Sequence, residues 1–446
     1  MCAPGAVRLS IDIESTIKKP AVALILSDFA QQEAEVALIS GMPGIRIQYF
    51  RGPVWAKTNE QLKKQIVEGN NPITGKPVMK ELVEKFTKPL TAEEKRTGEY
   101  KRTKGQLTFT GTPDELQRLF LEKRYTDFLP VILPTEQKVA EMLKATSHQP
   151  DEQLGKMNPG SEAGDTWIYT VKDAAINAVM AGARPEYFPV ILALGSTGMT
   201  SVNVSDNGFA AGAVINGPIR DEIKLNYEIG AVGPYAEANT TIGRAWNLLS
   251  INGGNCGKVG TTYMGTVGNA QNALATIIAE NERDSPFKPF SVRRGFKEGE
   301  NVATLLTGWG ILSAANWKVN RWGPDMNYPQ IIKDIYDQQS PSLFGTFVVL
   351  SPPIANFVKD AGYDTIEKLT AWVTEQANPP AGPPAGARAG APPAGAQGGP
   401  GGRGGRGGGF GGGSNFDVIV SGASNNNYWM IGGLRPGRSV QIDAWR

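Results

Sequence analysis

Four stretches of this chain hold residue types that could do chemistry. In Ala279-Glu-Asn-Glu-Arg-Asp-Ser-Pro286, Glu280 and Glu282 stand two residues apart. Such carboxylates can serve as a general base or as oxygen ligands for a hard cation. A charged run of this kind more often forms a solvated face. In Val214-Ile-Asn-Gly-Pro-Ile-Arg220 a strand runs into a turn, so that Asn216 and Arg220, followed by Asp221 and Glu222, would face a ligand. Asn-Gly is equally a plain turn signal. In Ala238-Asn-Thr-Thr-Ile-Gly-Arg-Ala245, Thr240 or Thr241 would cap a helix whose exposed N–H groups could hold an anion, with Asn239 and Arg244 beside it. The fourth stretch sets Asn177 ahead of a glycine and then Arg184-Pro-Glu186; its simplest reading is an Arg184–Glu186 surface pair after a glycine cap. If these stretches converge, the arginines would hold a substrate's negative charge and the glutamates would move its protons.

Two scarcities narrow the chemistry. The chain has one histidine, His148, and two cysteines, Cys2 and Cys256. A His/Cys zinc site takes about four such ligands, so any metal here would need oxygen ligands. His148 lies in the polar loop Thr146–Pro150 and reads as a surface side chain, and Cys256 between glycines has no histidine near it in sequence. Two cysteines make no disulfide scaffold, which favours a reducing compartment. Gly195-Ser-Thr-Gly198 and the glycines of 253–268 match neither phosphate-loop pattern. With 45 basic and 43 acidic residues, no charge surplus points to nucleic acid or to anionic membrane. No apolar run is long enough to span a bilayer or fit to be a signal peptide. A cytoplasmic protein is expected.

The positioning elements follow from pattern. Hydrophobic residues make up 40% of the chain, enough for a proper core. Ala21–Leu26 reads as a buried strand, Phe29–Ser40 as a helix and Ile45–Phe50 as a second strand, a βαβ unit that implies a parallel pair. Thr58–Glu68 and Val78–Phe86 read as helices. Thr112-Pro-Asp-Glu opens another with a threonine cap and a proline in its first turn. Val171–Ala183 reads as a helix, whereas Phe188–Leu194 fits a strand or a buried helix equally. Residues 378–413 are a Gly/Pro-rich linker whose composition cannot offset chain entropy. Its three arginines give a minor RNA-binding signal. Asn415–Ser421 and Ser439–Asp443 alternate like strands and are too short to fold alone, so they should return to the main body. The fold class expected is α/β: a partial parallel β/α unit over 1–86, a connector over 87–111, a larger α/β domain over 112–377, the linker over 378–413, and C-terminal strands over 414–446 that complete the main domain.

Glu68-Gly-Asn-Asn-Pro-Ile-Thr-Gly-Lys-Pro-Val78, Leu116–Glu122, Phe128–Thr135, Ala175–Pro189, Asn216–Arg220, Ala238–Arg244 and Ala279–Pro286 resemble the UGSC-type (seleno)protein family, over most of residues 10–375 and the last strand pair. That family is named for a Sec-Gly-Ser-Cys tetrapeptide, often Cys-Gly-Ser-Cys, which ends a strand and precedes a helix. A helix N-terminus lowers the pKa of such a thiol or selenol and readies it for exchange. The resemblance thus implies redox chemistry. The matching region is Met1-Cys-Ala-Pro-Gly5, where Cys2 stands for the second member of the pair and the first would fall before Met1. Either a small Cys/Sec-bearing partner subunit supplies it, or the start lies upstream, or the redox function is lost. The resulting expectation is a subunit, or the C-terminal part, of an oligomeric thiol/selenol redox enzyme acting on a small polar or anionic substrate. Cys2 would exchange, Glu280 and Glu282 would move protons, and Asn177, Arg184, Glu186, Asn216, Arg220, Asn239 and Arg244 would line the pocket. The residues name no cofactor. The alternatives are a non-catalytic scaffold subunit and a metal-dependent hydrolase.

Overall fold

A computed structural model of the chain describes residues 3–98, 108–157, 167–202, 208–313, 326–339, 345–375 and 416–446. Cys2, residues 99–107 of the connector and the linker 378–413 lie outside them. The protein is mixed α/β. Its first unit is the expected βαβ: β1 (Ala23–Leu26) and β2 (Ile47–Phe50) pair in parallel, joined through the helix Ala30–Ile39. The helix Ala3–Asp12 packs on the same face, and Val7, Ile11, Ala23, Ile25, Val36, Ala37 and Ile45 form the core between them. The helix Val78–Thr87 packs against β2, where Glu81 accepts from Gln48 (3.1 Å) and Asn71 (2.6 Å). Glu33 is buried in this unit and neither of its carboxyl oxygens has a hydrogen-bond partner.

Helix signals in the next segment are met closely. Thr112 makes a capping box with Glu115 at the head of Pro113–Glu122, and Thr170 makes one with Asp173 at the head of Val171–Ala181. Gly182 ends the latter helix at φ +81°, a left-handed conformation that only glycine adopts without cost. Phe188–Ser196 is a helix rather than a strand. It is buried on every side, which is why no amphipathic period marked it. The strands β3 (Gln153–Met157) and β4 (Trp167–Thr170) form an antiparallel pair beside these helices.

The main sheet has six strands: β5 (Ala210–Asn216), β6 (Thr276–Ala279), β7 (Val302–Ser313), β8 (Thr346–Leu350), β9 (Phe416–Val420) and β10 (Trp429–Gln441), in the order β6-β5-β7-β10-β8-β9. The C-terminal strands therefore complete this sheet, and β10 lies at its centre. The order is palindromic. Each half runs strand, helix, parallel strand, antiparallel strand: β5, the long helix Glu237–Gly254, β6 and β7 in one, and β8, the helices Pro352–Asp360 and Ile366–Thr374, β9 and β10 in the other. Val214-Ile-Asn-Gly-Pro-Ile219 falls on Val349-Leu-Ser-Pro-Pro-Ile354. The register agrees, since Ile215 pairs with Ala279 as Leu350 pairs with Val420. The next backbone bonds also correspond, Glu280 N–H to Ile215 O at 3.1 Å and Ser421 N–H to Leu350 O at 2.9 Å. The sheet is an internal repeat whose halves meet at the antiparallel β7–β10 pair.

The two edges also meet. Asn281 N–H donates to Val420 O (2.8 Å), and Ser421 Oγ donates to Ala279 O (2.8 Å). The sheet thus curls until β6 and β9 touch at their carboxyl ends. Inside the curl, Val214, Ile278, Leu306, Phe347, Ile419 and Leu434, one from each strand, pack around Phe290. Outside it, the helices Val171–Ala181, Phe188–Ser196 and Glu237–Gly254 cover the first half, and Tyr328–Gln339, Pro352–Asp360 and Ile366–Thr374 cover the second. Gly243 lets the long helix approach β6 closely, because a Cβ there would stand 2.1 Å from Ala275 O. Among the described residues no helix is long and apolar enough to cross a membrane.

Candidate functional site

Asn216 ends β5 and Glu280 directly follows β6, so both emerge at the carboxyl ends of neighbouring parallel strands, where ligands of α/β sheets bind. By strand alternation Asn216 shares the face of Val214, and Glu280 that of Ile278, both of which line the interior. Glu280 is only 2% exposed. Its Oε2 accepts from Asn216 Nδ2 (2.5 Å) and from the Phe290 backbone N–H (2.7 Å). The same Asn216 nitrogen donates to Glu282 Oε1 at 2.8 Å, so one amide bridges two carboxyl groups. Gly217 N–H also donates to Glu282 Oε1 (2.8 Å), and Arg220 closes an ion pair with Glu282 Oε2 at 3.1 Å.

Arg220 is held from several sides. It donates to Gly217 O (2.8 Å) and to the backbone oxygen of Glu280, and its guanidinium lies 5.1 Å from the centre of the Tyr227 ring. Tyr227 donates its hydroxyl to Asp221 (2.6 Å) and meets the guanidinium of Arg283 at 5.8 Å. Arg283 in turn pairs with Glu228 (2.5 Å) and Asp284 (3.0 Å). Asn281 ties the turn together, donating to Asp284 (3.0 Å) and to Gly422 O (2.9 Å).

The two carboxyl groups differ in environment. Burial pushes the Glu280 carboxyl up, against the pull of Arg293 and of the Phe290 and Asn216 hydrogen bonds, while the nearby Glu282 pushes the same way as burial. Glu282 instead meets Arg220 and the N–H groups of Asn216 and Gly217. A second pair reaches Glu280 from the other half of the sheet: Arg293, its side chain only 8% exposed, joins Asp417 at 3.3 Å and donates to Val418 O. Burial raises the Asp417 carboxyl too, with Arg293 and Arg294 opposing. Two neighbouring carboxyl groups in unlike settings, one buried and one ion-paired, are the arrangement that separates acid from base in carboxylate chemistry. Asn216 Oδ1 is buried without a donor, which leaves an acceptor for a group not supplied by the fold.

Four of the sequence candidates therefore converge, namely Asn216, Arg220, Glu280 and Glu282. The expectation of a solvated Glu280–Asp284 run is corrected at Glu280 and Asn281, which are buried because the strand ladder carries on past Ala279. The others stand apart. Arg184 pairs with Glu237 (2.6 Å) and not with Glu186, which is exposed. Arg244 makes a two-pronged pair with Asp127 (2.9 Å each) and donates to Pro130 O, bracing a loop. Each arginine of the expected trio already faces a carboxylate of its own, so the shared anion pocket is not formed by them. Asn239 serves the backbone of Asn226, Ala231 and Ile277, and Asn177 bonds Asp173 O and Asn252. Thr240 and Thr241 do not cap a helix. The helix begins at Glu237, and Thr241 Oγ1 is spent on Glu237 O (2.8 Å).

Cys2 lies outside the described residues. Cys256 is buried and burial drives its thiol far above the usual range, so it is an unreactive thiol. His148 is partly exposed. Its Nδ1 faces Glu152 (2.9 Å), its Nε2 faces Ala444 O (2.8 Å), and its ring stacks on Trp445 at 4.6 Å. Among the described residues no three His, Cys, Asp or Glu side chains are grouped to hold a metal ion. Phe290, Arg293, Asp417 and Tyr227 carry no signal in the sequence that marks them as site residues. Asp417 alternates with apolar neighbours and so resembles a solvent-facing position; only the curl of the sheet turns that face inward.

Comparison with protein families, with curated proteins and with solved structures finds no match to this chain.

Proposed function

We propose that this chain is a proton-transferring enzyme, or the subunit of one, that acts on a small polar substrate at the carboxyl ends of β5 and β6. The observation that carries the reading is the single Asn216 amide shared by Glu280 and Glu282, one carboxyl buried and the other ion-paired. In this scheme Glu280 is the proton donor, Glu282 the base, and the orphan Asn216 oxygen accepts from the substrate. The neutralised arginines favour an uncharged, hydrogen-bonding substrate over an anionic one. The thiol/selenol redox reading implied by the UGSC-type resemblance is the companion proposal, in a reducing cytoplasmic setting. It assigns exchange to Cys2, because the buried Cys256 is unsuited to it.

The test is a thermal-shift screen of small polar metabolites against the full chain, followed by turnover assays on the hits. Glu280→Gln keeps the shape and the Asn216 contact, and it should retain binding while losing at least about 100-fold in kcat. A substrate turned over equally well by Glu280→Gln removes the proton-transfer reading. Cys2→Ser should abolish turnover if thiol exchange is part of the cycle, and unchanged turnover discards the redox step.

A further inference from the structure

β1 is paired on one side only. Its partner is β2, and no other strand among the described residues borders it. Beside the strand lies a cleft of about 390 Å³ lined by residues 20–24, by Leu9 of the first helix, by Ile13 just after it, and by Phe86. Leu24, in the middle of the strand, is 41% exposed, and Leu9 and Phe86 are 45% and 48% exposed. A parallel pair left with an open edge and an apolar border is a template for another strand.

The ends of β1 indicate which strand fits. Lys18 and Lys19 precede it and Asp28 follows it. All three are exposed and none joins an ion pair among the described residues. Two copies of this segment laid antiparallel about a two-fold axis near Ala23 and Leu24 bring the lysines that lead into β1 of one copy to the same end of the contact as Asp28 of the partner subunit, in the short turn Ser27–Phe29 that follows β1, twice over. A parallel arrangement would set lysine against lysine. The edge is therefore self-complementary in charge as well as apolar at its centre, as an isologous contact requires.

We propose that two copies of this chain associate by antiparallel pairing of β1 with β1, forming a four-stranded β2-β1-β1-β2 sheet closed at each end by lysine–aspartate pairs. Leu24 of each copy lies at the centre of the contact, with Leu9 and Phe86 at its border.

Sedimentation of the full chain tests this from 1 to 100 μM at low and high salt. A dimer that weakens with salt is expected. Leu24→Lys, at a position already open to solvent, should give a monomer with an unchanged circular-dichroism spectrum. Lys19→Asp makes both end pairs repulsive and should weaken dimerisation about tenfold. Adding Asp28→Lys to Lys19→Asp reverses both pairs and should restore it. A monomer at every concentration, a dimer indifferent to Leu24→Lys, or a double charge reversal no better than the single one overturns the proposal. The charge reversals decide the matter even if Leu24→Lys disturbs the fold.

Discussion

Glu33 is the group whose replacement gives the sharpest test of these energetics. Its side chain is fully buried and neither oxygen finds a hydrogen-bond donor. Burial pushes its carboxyl up to about 8, with Arg8 opposing. The unfolded chain releases this proton near the ordinary carboxyl value of about 4–4.5. Between those limits the folded state holds a proton that the unfolded state has lost, so the contribution to stability falls as pH rises. The slope is about 1.4 kcal/mol per pH unit, and across the whole window the loss approaches about 4–5 kcal/mol. Arg8 nearby makes that an upper bound. Glu33→Gln removes the titration and keeps the volume. In urea unfolding read by hydrogen exchange of peptides from residues 20–50, the wild type should weaken steadily from pH 5 to 8. The variant should lack that slope and be the more stable of the two at pH 8.5. Equal slopes in the two proteins, or a variant weaker at pH 8.5, would refute the claim that Glu33 is buried as a neutral acid.

Two further outcomes are expected. Arg220→Met leaves Glu282 without its cation in a largely buried setting and should cost about 3 kcal/mol in urea denaturation. Adding Glu282→Gln should return part of that loss, and strict additivity of the two changes would show that the pair is not coupled. His148 has an acceptor at each ring nitrogen, first the Ala444 backbone oxygen and then Glu152, which raises its pKa above the ordinary value. Its contribution is thus complete below about pH 6.5 and is lost as pH rises through the raised value. The indole N–H of Trp445, which stacks on that ring, should report this loosening by NMR, and His148→Gln should abolish its pH dependence.

Local chemistry was legible in the sequence wherever neighbours in the chain decide the outcome. The β1–helix–β2 unit follows from a buried run, a helical period and a Gly-Met-Pro-Gly stop. Thr112, Pro113 and Glu115 announce a helix start that the capping box then makes. The return of residues 416–446 to the main body follows from segments too short to fold alone. Phe188–Ser196 was ambiguous because a helix buried on all sides has no polar face to betray its period. The site was half visible. Asn216 and Glu280 are 64 residues apart and meet only because β5 and β6 pair in parallel with Ile215 beside Ala279. The anion pocket of three arginines failed for a physical reason, since Glu237, Asp127 and Glu282 neutralise them and nothing near them in sequence names those partners. The repeat is faint in the sequence because its clearest trace is six residues, Val214–Ile219 against Val349–Ile354. The two halves otherwise share topology rather than side chains.

The central place of β10 has a consequence for synthesis. As the polypeptide leaves the ribosome, β5, β6 and β7 can assemble as soon as Ser313 is out, but the far side of β7 has no neighbour until residues 429–441 emerge. At about 5–20 residues per second, translation takes roughly ten seconds to cover that interval. Throughout it a long glycine-bearing strand waits with bare amides, a hazard for association between nascent chains. A chaperone that shields β7 during that interval should raise the yield of folded protein.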